Sequence, residues 1–166
     1  MNVSSPNTPG LRELQQKDSL RKILTNLQNL DRVKGPGLKP ILLKISPDLT
    51  LAEIDDIIDL AMEIKSDGII VANTTTDRKN LSTSRTSLNK IGDGGLSGKP
   101  LQKASTNLVR YITTKTNDHL TIIASGGIFN AANALEKINA GAMLLQVWTG
   151  FIYEGPAIVK NICKLL

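Results

Sequence analysis

The chain has 166 residues, 40% hydrophobic and 21% charged, which fits one globular domain with a buried core and excludes bulk disorder. Its formal net charge is +5, yet the 20 Lys and Arg are scattered among 15 acidic residues and aromatics make up only 3%. That pattern excludes a clustered, ring-bearing nucleic-acid surface and leaves a general attraction for anionic small molecules.

The opening MNVSSPNTPGLREL is polar and turn-rich, and reads as the C-terminal end of a strand whose body lies upstream. A helical pattern over residues 19–30 follows, with Leu20, Ile23, Leu24, Leu27 and Leu30 on one face and Gly35, Pro36 and Gly37 to end it. Residues 40–46, PILLKIS, read as a short buried strand. Asp48 or Thr50 caps the next helix, whose face is Ile54, Ile57, Ile58, Ala61 and Ile64. DGIIVANTTT is a second strand. The long polar segment 77–99 carries Gly92, Gly94, Gly95 and Gly98, and a loop of that length is commonly functional or disordered. A helix is expected over 101–116, then a strand in LTIIASGG, a helix in FNAANALEKINAGA, a strand in MLLQVWTG and a closing helix in GPAIVKNICKLL. The single cysteine, Cys163, excludes a disulfide framework and, in that apolar helix, is expected to be a buried structural thiol. The one histidine, His119, is expected on a surface loop; no ligands gather around it, so no metal site is expected. No stretch reaches the length of a membrane span.

Strands alternate with helices and are continuously apolar, which predicts an α/β fold of parallel strands covered by outer helices. Each strand ends in polar or glycine residues, and in α/β barrels and open sheets alike that edge carries the ligand site. Four β/α units amount to about half of an eight-unit barrel. The expectation is therefore a single partial domain over 1–166, the C-terminal half of a (β/α)8 TIM barrel.

Four features at that edge carry chemistry. Ser125, Gly126 and Gly127 follow a strand and precede a helix, which suits a phosphate, though a tight turn would use the same glycines. The GDGGLSGKP loop fails both nucleotide fingerprints. Asp93 occupies the first glycine position of a P-loop and Pro100 replaces its hydroxyl residue; Ser97 stands where the dinucleotide motif needs its last glycine. Lys44 interrupts an apolar strand, where it either snorkels from an edge or points into the mouth toward an electron-rich cofactor. Asn73 and Thr74 end a strand where an amide and hydroxyl could meet a planar heterocycle or simply cap a turn.

Together NVSSPNTPGLR, LLKISPDL, GIIVANTTT, GGLSGKPL, IIASGGI, ALEKINAGA and LLQVWTGFIYEGP closely resemble the dihydroorotate dehydrogenases, specifically the quinone-linked, membrane-associated class 2 enzymes. The resemblance implies FMN at the mouth of a barrel and oxidation of dihydroorotate to orotate in pyrimidine (UMP) synthesis. It implies Ser5 as the catalytic base, where class 1 relatives carry cysteine. Asn2, Asn7, Asn73 and Thr74 match substrate-contacting positions. Asn2, Lys44, Ser97, Gly98, Gly126, Gly127, Trp148 and Thr149 match the FMN site, Trp148 standing where tyrosine is common. Quinone is expected to bind through a further N-terminal region, with the enzyme peripheral to the bacterial inner membrane or the mitochondrial inner membrane. The chain by itself is expected to hold flavin weakly or not at all. A non-catalytic half-barrel that binds at most a phosphate, and another FMN barrel oxidoreductase, are the competing readings.

Overall fold

The computed structural model describes residues 1–33 and 39–164. A short 3-10 turn, Leu11–Gln15, leads into helix α1, Lys17–Val33, which is longer at both ends than its apolar pattern predicts. Only the first half of that pattern is buried: Leu20 and Leu24 are enclosed, while Leu27 and Leu30 face solvent. The glycines and proline expected to stop it, Gly35, Pro36 and Gly37, lie outside the described residues.

Four strands follow, β1 Leu42–Lys44, β2 Gly68–Val71, β3 Ile122–Ser125 and β4 Leu144–Gln146. They form one parallel sheet in the order β1-β2-β3-β4, with Leu43 opposite Ile69, Ile70 opposite Ile123 and Ala124 opposite Leu145. Helix α2, Leu51–Glu63, connects β1 to β2. Thr50, one of the two expected caps, is the one used: its side chain accepts from Glu53 N while Glu53 reaches back to Thr50 N, closing a capping box. Helix α4, Gln102–Thr116, connects β2 to β3, and α5, Ala131–Asn139, connects β3 to β4.

The core lies between the sheet and these helices. Ile57, Ile69, Val71, Val109, Ile112 and Ile122 are all essentially inaccessible, each side chain contributing about 1.5–3 kcal/mol by leaving water. A smaller cluster of Ile128, Ala134, Ile158 and Ile162 lies under the last helices. Strand β4 departs from the expected two-sided burial: it is an edge strand, and Met143 and Leu144 stay more than half exposed.

Three further departures have local causes. Segment 77–99 contains a helix, α3 Arg85–Ile91, capped by Ser84 and without a buried residue, so no apolar stripe announced it. The closing helix expected from Gly155 onward is α7, Ala157–Cys163, and ahead of it an unexpected helix, α6 Thr149–Glu154, begins inside the expected last strand. Gly155, at φ 74°, and Pro156 break the run between them. Cys163, expected to be buried, is exposed: α7 turns Ile158 and Ile162 inward, and Cys163 stands one residue past that face. His119 is exposed in the turn before β3, as its polar context predicts.

Candidate functional site

Because all four strands run in parallel, their C-terminal ends gather at one edge. There they surround a cavity of about 470 Å³, within the range of small-molecule sites. Lys44 enters from β1, Asn73 and Thr74 from the exit of β2, and Gly126 and Gly127 from the exit of β3. Trp148 and Thr149 enter from the exit of β4, and Ser97 and Gly98 from the loop after α3. Among the described residues the lining holds no carboxylate, and Lys44 is its one charged side chain.

Lys44 Nζ lies 3.4 Å from Gln146 Oε1 across the cavity, too far for a strong bond. No described carboxylate pairs with it, and burial pushes its ammonium below the usual lysine range. At the other end Gly126 and Gly127 have φ 105° and 72°, the left-handed region that disfavours side chains. A Cβ on Gly127 would collide with Cα of Gln102, so the loop lies directly on the first residue of α4. The Gly127 amide donates to no described protein group. The first amides of α6 have no acceptor within their helix either. Beside them Thr149 Oγ1 donates to Ser97 Oγ at 3.0 Å. A ring of free donors and one cation, with no acid, favours an anionic ligand.

The opening segment continues the sheet. Met1 N donates to Leu42 O at 2.6 Å, Lys44 N donates to Met1 O at 2.9 Å, and Asn2 bridges to Lys44 in parallel. Asn2 Oδ1 then accepts from Asn73 Nδ2 at 3.1 Å and from Ser4 Oγ at 3.0 Å, and Asn73 Nδ2 also donates to Ser4 Oγ at 2.9 Å. Asn2 and Asn73 are thus brought together, with Asn73 on the cavity wall. Ser5 and Asn7 are not on that wall. Ser5 Oγ accepts from Asn7 N at 3.3 Å within a turn, and Asn7 Oδ1 accepts from Gly95 N at 2.8 Å. His119, at the N-terminal end of β3, is far along the strand from this edge.

Three residues escaped sequence reasoning. Ser4, fully buried beside Ser5, is the serine that bonds both asparagines. Gln146 is a polar residue in an apolar strand, the same signal that singled out Lys44. Asp48 joins three segments, accepting from Arg12 Nη2 at 3.0 Å, from Thr76 N and Oγ1 at 2.9 Å each, and from Thr75 Oγ1. Burial pushes its carboxyl up, but the bonds from Thr75, Thr76 and Arg12 outweigh that and hold it below the usual carboxylate range. Residues far apart in the chain meet at Asp48, and no local pattern encodes that.

A parallel β/α sheet with a glycine loop, a helix start and a lysine at its C-terminal edge has the layout of a ligand-binding edge in the α/β class, which includes the (β/α)8 barrels. The family model for dihydroorotate dehydrogenase matches residues 1–166, and the chain belongs to that family. It is 51% identical over 162 residues to the dihydroorotate dehydrogenase (quinone) of Christiangramia forsetii, covering 98% of this chain and 46% of that protein. The corresponding protein of Trichodesmium erythraeum is 51% identical over 168 residues, with 99% and 43% covered. The ligand-free structure of the Eimeria tenella enzyme superposes with a TM-score of 0.89 at 39% identity, covering 99% of this chain and 49% of that one. Its complex with ferulenol gives 0.86 at 41% identity, with 98% and 47% covered. The chain thus spans about half the length of the relatives it matches, and its fold is that of about half of a TIM-barrel enzyme.

Proposed function

We propose that the chain serves the FMN-dependent oxidation of dihydroorotate to orotate in pyrimidine synthesis, with a quinone as final electron acceptor. The observation that carries this reading is the cavity at the strand ends, with Lys44 facing unpartnered amides and no carboxylate in its described lining. FMN is a planar ring joined to a dianionic phosphate, and the residues present suit both parts. Gly126, Gly127, Trp148 and Thr149 would hold the phosphate through backbone amides and a hydroxyl. Lys44, Ser97, Gly98 and Asn2 would meet the rest, the ammonium stabilising negative charge. Bound FMN supplies the acceptor for the hydride that leaves C6 of dihydroorotate.

The remaining work falls to side chains. Asn2, Asn7, Asn73 and Thr74 offer donors and acceptors to the amide and carboxylate groups of the substrate ring. Ser5 Oγ takes the C5 proton. A hydroxyl is a poor base unless its deprotonated form is stabilised. The Asn7 N–H already donating to Ser5 Oγ supplies one such bond. The turn carrying Ser5 and Asn7 stands beside the cavity and, by moving over it, would present both side chains and exclude water. Quinone reacts through the wider protein, at a membrane surface; among the described residues no helix is long and apolar enough to cross one.

The purified protein should bind FMN saturably, and anaerobic dihydroorotate should then bleach the flavin absorbance. Ser5→Ala should bind FMN equally and stop the bleaching at neutral pH. Failure to bind FMN, or an unchanged rate in the variant, would overturn the reading.

A further inference from the structure

Lys137, on α5, takes no part in the chemistry above, yet its side chain is fully buried. Its Nζ donates to Gln102 O at 2.6 Å and to Thr106 Oγ1 at 2.7 Å. Among the described residues no carboxylate forms an ion pair with it; the neighbouring Glu136 instead accepts from Gln102 Nε2 at 2.8 Å. Enclosing an unpaired ammonium is costly, and burial lowers its pKa to about 8. An apolar side chain of similar volume would join the two helices without that cost. The Thr106 hydroxyl already donates to Gln102 O at 2.9 Å, so no acceptor there requires an amine for its own satisfaction.

What the amine grips is the floor of the glycine loop. Gln102 is the residue on which Gly127 rests, and the side chain of Leu101 lies 3.3 Å from where a Cβ on Gly126 would stand. Ser105, in the same turn of α4 and fully buried, donates to Ser125 O at 2.7 Å, fixing the strand end that leads into the loop. The first turn of α4 therefore shapes Gly126 and Gly127 from beneath, and Lys137 is the charged group tied to that turn.

We propose that Lys137 is a positioning residue for anion binding at Gly126 and Gly127, holding the first turn of α4 under the loop and setting a positive charge behind it. This rests on the reading that the loop takes the phosphate of FMN. FMN and riboflavin, which differ by that phosphate, separate the two ideas. The wild-type protein should bind FMN at least 100-fold tighter than riboflavin, by quenching of flavin fluorescence. Lys137→Met should bind FMN about tenfold more weakly with riboflavin affinity unchanged. Lys137→Gln, which keeps a donor without the charge, should fall between them. Inorganic phosphate, titrated calorimetrically, should weaken in the same order. A wild type with no preference for FMN would sink the phosphate reading and this proposal together. A preference undiminished in Lys137→Met, or equal weakening of both flavins, would overturn the proposal alone.

Discussion

The two ends of the cavity are built by different means. At the glycine end, backbone lies on backbone: Gly127 rests on Gln102, and a Cβ on Gly150 would collide with Ile128 O. At the serine end, the segment around Ser5 is held by hydrogen bonds from loops, Asn2 to Asn73, Asn7 to Gly95 and Arg12 to Asp48. Close packing admits almost no variation and fixes one geometry. A set of hydrogen bonds, each contributing about 1 kcal/mol net, can be exchanged one at a time for bonds to a ligand. The structure thus pairs a rigid end with an exchangeable end; on the proposed reading the first would anchor the cofactor and the second would admit substrate.

The largest expected effect falls at the exchangeable end. Ser5→Ala should cut dihydroorotate-dependent flavin bleaching by about 10²–10⁴-fold while leaving the thermal midpoint in place. A comparable loss of stability would show that Ser5 belongs to the scaffold. Gly127→Ala tests the rigid end: the clash with Gln102 and the positive φ together should cost about 4 kcal/mol in denaturant unfolding. A cost near zero would mean that the loop can move away from α4, and the contrast between the ends would fail.

Lys137 gives a pH signature of the rigid end. Its folded pKa of about 8 lies below the usual lysine value of 10.5, because burial outweighs the help of Glu136. The unfolded chain then binds the extra proton between those values, so stability rises with pH there. Relative to Lys137→Met, the wild type should gain about 3 kcal/mol across that window in pH-dependent unfolding. A flat difference would mean that the amine is solvated.

Two smaller effects probe the hydrogen-bonded end. Asp48→Asn turns an amide toward the Arg12 and Thr76 donors and should cost about 2 kcal/mol. Hydrogen exchange across residues 3–10 should rise in that variant, with no change at Gly126 and Gly127. Asn7→Ala removes the single bond to Gly95 N and should cost less than about 1 kcal/mol.

The order of strands and helices was legible because an apolar run bounded by turn residues encodes a parallel strand wherever it sits, as ILLKIS and LTIIASGG do. The expectations that failed are those that no apolar stripe announces: the helix α6 beginning at Thr149 inside the expected last strand, the exposed helix α3, and Cys163 just beyond an inward face. In the site, Lys44, Asn73 and the glycine pair could be found because each breaks the apolar pattern of its own strand. Asp48 and Lys137 could not. Each matters through partners 27 to 36 residues away, and one sequence read locally does not record such pairings.

The parallel bridge between Asn2 and Lys44 bears on how this region can evolve. Inserting one residue between Asn2 and Ser5 would shift the serine from the place that this bridge now sets for it. Exchanging one side chain there disturbs only the contacts of that side chain; adding or deleting a residue displaces every contact beyond it. Lineages carrying this fold should therefore accept point changes in the opening segment, away from Asn2, Ser5 and Asn7, far more readily than any change in its length.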